Sequence, residues 1–144
     1  PEEHISVAFY NALDNKNALL AKYIYTFNPD VNYVPNINRN YTPLMLAAIL
    51  GDAELVETIL NDKAFNSINH VAQNGFTAIG KAFEYDQDDA AVLILNHPDF
   101  SSGPDKDKLD EVLIIACREN AFEIAEALIN ANSDVTFVDT NNDS

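Results

Sequence analysis

One cysteine in 144 residues cannot close an internal disulfide, so Cys117 builds no covalent framework and suits a reducing compartment. Four glycines leave little material for a glycine-rich phosphate loop, and no serine elbow or carboxylate pair stands out. No apolar run approaches the roughly 20 residues needed to cross a bilayer, and no signal-peptide pattern opens the chain. Basic residues are also scarce: 8 Lys and Arg stand against 23 Asp and Glu, a net charge of -15. That balance repels phosphate backbones and anionic surfaces, so neither nucleic acid nor membrane is expected as a partner. It favours solubility and would hasten encounter with a protein bearing a basic surface. Most of the acids are expected simply to solvate outer faces.

What is present is apolar and periodic. Hydrophobic residues make up 47% of the chain, enough for the core of one ordinary domain. "TPLMLAAILGDAELVETIL" from Thr42 aligns with "TAIGKAFEYDQDDAAVLIL" from Thr77, 35 residues on, and with "EVLIIACRENAFEIAEALI" from Glu111, 34 further. Upstream, "VAFYNALDNKNALLAKYIY" from Val7 fits 35 residues before Thr42. A small residue recurs at Ala12, Ala47, Ala82 and Ala116, and apolar ones at Phe9, Leu44, Ile79 and Leu113. Four copies therefore cover nearly the whole chain, at approximately 5–36, 37–71, 72–106 and 107–144.

Each copy carries helix punctuation. Thr42 can cap a helix whose first turn holds Pro43, where a missing N–H does no harm. Gly51 ends that helix after about two turns, and Asp52 can cap the next. Leu55, Val56, Ile59 and Leu60 then form one wide apolar stripe. Helices this short are not stable alone and must be buried against neighbours. Between copies, "SINHVAQNGFT" (Ser67–Thr77) has the turn-rich look of a short hairpin around Asn74-Gly75.

With its T-P-L-x-x-A-A opening, G-x-x-E-x-V step, apolar second helix and "DVN" at Asp30–Asn32, the chain resembles the ankyrin-repeat family. "NSDVTFVD" at Asn132–Asp139 matches the hairpin part of the same unit. The resemblance implies an all-α solenoid of stacked helix-turn-helix units joined by short hairpin-like loops. A tetratricopeptide array has a similar period, but its longer, equal helices fit neither the Gly51 stop nor the D-V-N segments. The family's histidine after T-P-L is replaced by Tyr10, Met45, Gly80 and Ile114, which implies weaker ties between repeats. The surplus over the family's spacing lies in "NPDVNYVPNINRNYT" and "NHPDFSSGPDKDKLDE", expected to be irregular, with Pro35, Pro98 and Pro104 limiting ladder bonds. In this register Asp139 takes the turn's acidic position and Ser144 the place of the next Thr. With a start at Pro1 rather than Met, the chain is expected to be a piece of a longer protein.

Chemical constellations are weak beside this. His4, His70 and His97 share no helix face and none adjoins Cys117, so surface histidines are expected and no metal site. Cys117 aligns with Ala48 and should be a small buried thiol. "DKDKLDE" (Asp105–Glu111) is similar to the start of a calcium loop, but Leu109 and Asp110 stand where a ligand and a glycine are needed. A solvated acidic loop is expected there, and acids at a helix start in "DQDD" (Asp86–Asp89). Neither an enzyme nor a cofactor is signalled.

In a repeat stack, turn tips and first-helix ends line up into one concave face. The resemblance implies that this face binds another protein, non-catalytically. Carried over by position, it offers Arg39, Tyr41, Asn74, Phe76, Lys108 and Asp110 from the turns. The helix ends add Asp14, Asn15, Ile49, Leu50, Glu84, Tyr85, Arg118 and Glu119. Aromatic Tyr41, Phe76 and Tyr85 and aliphatic Ile49 and Leu50, all in the two middle copies and beside an arginine, are expected to form an exposed apolar patch of the kind binding hot spots use, which centres the groove on those copies. The competing expectation is that the loops bury these side chains. A second functional expectation is a targeting or regulatory segment of a larger enzyme or secreted effector whose catalytic part lies elsewhere. A monomer working in the cytoplasm is expected, or in a host cytosol if the protein is an effector.

Overall fold

The structure is a computed structural model that describes residues 2–35 and 39–131. Its helices come in four successive pairs. These are α1 (Glu2–Asp14) with α2 (Ala18–Tyr25), α3 (Pro43–Leu50) with α4 (Ala53–Leu60), α5 (Ala78–Glu84) with α6 (Asp88–Leu95), and α7 (Lys106–Arg118) with α8 (Phe122–Ala131). Short 3-10 turns at Gln73–Gly75 and Gly103–Asp105 precede α5 and α7, and no strand occurs among the described residues. The all-α expectation holds; the stretch at Asn132–Asp139 lies outside the described residues.

Threonine sets where the middle pairs begin. The Thr42 hydroxyl accepts from the Met45 N–H at 3.2 Å, and Thr77 accepts from Gly80 N–H at 3.1 Å. These caps satisfy a helix-end donor and start α3 and α5 at the next residue. Val7 and Glu111 occupy the aligned positions in the outer pairs, and there the first helix begins five residues earlier, reaching 13 residues in both α1 and α7. Residues 106–111 are thus helical rather than the irregular acidic loop expected. The extra turn is anchored by buried Leu109 and by a Lys106–Asp110 pair at 3.6 Å.

The link inside each pair repeats with equal regularity. Lys16, Gly51, Asp86 and Asn120, aligned in the four copies, have φ of 60°, 83°, 55° and 59°. All four close their helix in the left-handed conformation, which only glycine adopts without steric cost. A Cβ at Gly51 would also stand 2.4 Å from Oε1 of Gln87, a flexible side-chain end that can move aside. Asn17 and Asp52 then cap α2 and α4 through the N–H groups of Leu20 and Leu55.

Hairpin ladders are replaced by side-chain clamps. The Ser67–Thr77 segment folds as a turn in which Ala72 N–H donates to Phe76 O at 2.8 Å. Asn32 donates to Ala64 O at 2.8 Å and accepts from Asn66 N–H and the Ser67 hydroxyl. Asn69 does the same one loop later, donating to Asp99 O and accepting from Ser101 N–H at 2.8 Å each. His70 Nε2–H donates to Asn40 O at 3.0 Å, and His97 Nδ1 accepts from Asp99 N–H at 3.1 Å. Both rings are half-buried loop ties, while His4 is exposed. The family histidine's role also finds a substitute, because the Tyr10 hydroxyl at its position donates to Tyr41 O at 3.0 Å.

Along the stack, α1 packs on α3 and α3 on α5, while α4 packs on α6 and α6 on α8. Leu44, Met45, Ala47, Ala48, Leu55, Val56 and Ile59 are fully buried at the centre of this double layer. Burying each such Leu, Ile or Val contributes roughly 1.5–3 kcal/mol. At either end one layer parts: neither α2 with α4 nor α5 with α7 is closely packed.

Candidate functional site

The middle turns bring six side chains together. Arg39 precedes α3, reaches back to Asp14 at 2.6 Å, and lies over the Tyr41 ring at 4.6 Å. Tyr41 meets Phe76, its counterpart one copy on, edge to face with centroids 6.3 Å apart. Into this corner comes Lys81 of α5. Its Nζ sits 3.6 Å from the Phe76 centroid, 5.2 Å from Tyr41 and 5.8 Å from Tyr85, and 2.9 Å from Oε1 of Glu84. Lys81 is only 4% exposed. Burial works against its charge, yet hydrogen bonds with Glu84 and Tyr41 outweigh it and hold the ammonium above the ordinary lysine range.

This geometry revises the expected groove in three places. Tyr41 is buried, so it supports the site from below rather than meeting a partner. Its ring is covered because two cations and Phe76 converge on it. Ile49 and Leu50 are half-buried and pack against the core, where an exposed patch was expected. Arg39, Phe76, Glu84 and Tyr85 remain on the surface, with Phe76 36% and Tyr85 44% exposed. The Asn74 side chain is not among those described.

Lys108 and Arg118, both exposed, belong to α7 and are not part of this cluster. Lys108 instead lines a cleft between α5 and α7. Cys117 is exposed, contrary to the buried thiol expected. Its counterpart Ala48 lies in a helix covered by α5, whereas no described helix pair follows α7 and α8.

The residue that sequence reasoning passed over is Lys81. A signal was present, since it aligns with Asn11, Leu46 and Ile115, making it the one cation at a position that is apolar in two of the four copies. Such a residue is kept only if partners compensate its burial.

The cluster can present two aromatic surfaces held at fixed spacing, with Glu84 and Arg39 at their edges. Each cation–π contact contributes roughly 0.5–2 kcal/mol to holding those rings. Among the described residues no group of three His, Cys, Asp or Glu side chains could hold a metal ion. No helix of the described residues is long and apolar enough to cross a membrane. A family model described as ankyrin repeats (3 copies) matches residues 8–105, that is, the first three helix pairs. No curated protein matches the chain.

Proposed function

The chain belongs to the ankyrin-repeat family, and on that premise we propose that it is a non-catalytic module binding a partner protein on its first-helix face. The fourth helix pair extends the array beyond the matched copies. The observation that carries this reading is the Lys81-centred cluster, in which Phe76 and Tyr85 stay exposed although their geometry is fixed from beneath. Exposed aromatic surface that is already ordered loses little entropy on binding, which is what makes it effective at an interface. The net charge of -15 favours a partner with a basic surface, chiefly through faster encounter.

The test uses Phe76→Ser with Tyr85→Ser, since both side chains are exposed and the fold should survive their loss. Tyr41 is unsuitable because its removal would unpack the turn. Affinity capture should retain a partner on the wild-type chain and lose it on the double variant, while a Leu19→Ser control on α2, at a side chain 81% exposed, still retains it. Equal capture by the double variant sinks the reading.

A further inference from the structure

Between α5 and the last helix pair the stack opens into a cleft of about 310 Å³. Its position is anomalous, because the corresponding first helices elsewhere, α1 with α3 and α3 with α5, pack on one another. The sequence supplies a reason. The place taken by Leu13 in α1 and by fully buried Ala48 in α3 is Phe83 in α5, and this half-buried ring lines the gap. A large side chain there holds α7 off, and the second-helix layer, α6 on α8, keeps the last pair attached.

The cleft is apolar inside and acidic at its rim. Phe83, Val112, Ile115 and Ile124 line it, and Ile115 is 46% exposed where its counterpart Leu46 is buried. Around the opening stand Asp86, Asp88 and Glu119 against the single cation Lys108. None of these three carboxylates enters a salt bridge among the described residues. The volume lies at the small end of natural ligand sites, roughly 300–1,000 Å³.

We propose that this cleft receives an apolar side chain of the partner protein, an aromatic or a leucine, that adjoins a lysine or arginine. The inference rests on the protein-binding reading above. The apolar group replaces water against Phe83 and Ile115, and the neighbouring cation meets the unpaired carboxylates of Asp86 and Glu119. Charge complementarity therefore selects the sequence context of the anchor rather than supplying most of its affinity.

The experiment follows methyl resonances of the whole chain with three capped dipeptide amides: Phe-Lys, Phe-Glu and Ala-Lys. Phe-Lys should shift the methyls of Val112, Ile115 and Ile124. Phe-Glu should bind at least about threefold more weakly, the factor one exposed charge pair supplies, and Ala-Lys should leave these methyls unmoved. Ile115→Asn should abolish the response with an unchanged melting midpoint, and Asp86→Asn should narrow the gap between Phe-Lys and Phe-Glu. Cleft methyls that stay still with Phe-Lys overturn the proposal, as does an equal response to Phe-Glu. Neither outcome touches the Phe76 and Tyr85 test, so failure of the cleft and failure of the binding face are separable.

Discussion

The junction between the first two helix pairs and the junction between the last two are built differently. At the first, helix packing of α1 on α3 is joined by a set of directed ties. Tyr10 reaches Tyr41, Arg39 reaches Asp14, Lys22 bridges Asp52 and Glu54 at 3.0 and 2.9 Å, and Tyr25 reaches Asp62 at 2.7 Å. At the last, the Thr77 hydroxyl donates to Asp105, and packing of α6 on α8 does most of the rest. Neighbouring repeats supply each other's missing core, so stability passes between them through these interfaces. A junction with fewer directed side-chain ties among the described residues leaves its repeat freer to open. The same difference appears inside the helices: α3 buries six of its eight residues, whereas α7 buries only Leu109 and Ala116 of 13.

The largest effect should come from truncating aligned leucines. Leu44 is completely buried in α3, and Leu113, its counterpart in α7, is half-buried. Leu44→Ala should cost about 2–5 kcal/mol, the range for a cavity left in a rigid core. Leu113→Ala should cost under about 2 kcal/mol, because less apolar surface is lost and the site can relax. Chemical denaturation measures both. Equal costs would mean the stack is evenly packed and the contrast between its ends unreal.

A middle-sized effect concerns the left-handed link inside each pair. Gly51→Ala should cost about 1–2 kcal/mol from φ alone, since the Gln87 amide that a Cβ would meet is the flexible end of a side chain. Asn120→Gly, at the same position of the last pair, removes that steric cost and should change stability by no more than about 1 kcal/mol. Melting midpoints of the two variants distinguish the sites. A neutral Gly51→Ala would show that the link is not under conformational constraint.

Much of this architecture was legible in the sequence because its signals are local. Thr42, Gly51 and Asp52 act on backbone groups within four residues of themselves, so their spacing announces the helices directly. The Asn32 and Asn69 clamps could not be read, since they act 30 to 35 residues away across loops of unequal length. Tyr41 was misplaced for a related reason: its burial depends on Lys81, an ion whose presence at an apolar register says only that partners exist. The exposed Cys117 shows the limit of alignment with Ala48. Identical register does not give identical burial: Ala48 lies in a helix packed on α5, whereas no described helix pair follows α7 and α8 to cover Cys117.

The smallest effect lies outside neutral pH and falls on the first junction alone. Burial of the Tyr25 phenol, followed by its hydrogen bond to the Asp62 carboxylate, pushes its pKa from 10.0 up to about 12. Because the folded value is the higher one, the folded chain keeps a proton that the unfolded chain has already lost between these two values. Stability from this group is therefore complete below pH 10 and declines as pH rises from 10 toward 12. A phenolate absorbance titration should show Tyr25 ionising late among the six tyrosines. Tyr25→Phe should remove that late step and flatten the alkaline fall in stability. Hydrogen exchange over the same pH range should show α2 losing protection as pH rises while α8 does not, since Tyr25 ends α2 and Asp62 follows α4. A loss of protection with rising pH in α8, with α2 unaffected, would place the pH-sensitive weakness at the other end of the stack and overturn its assignment to the Tyr25–Asp62 tie.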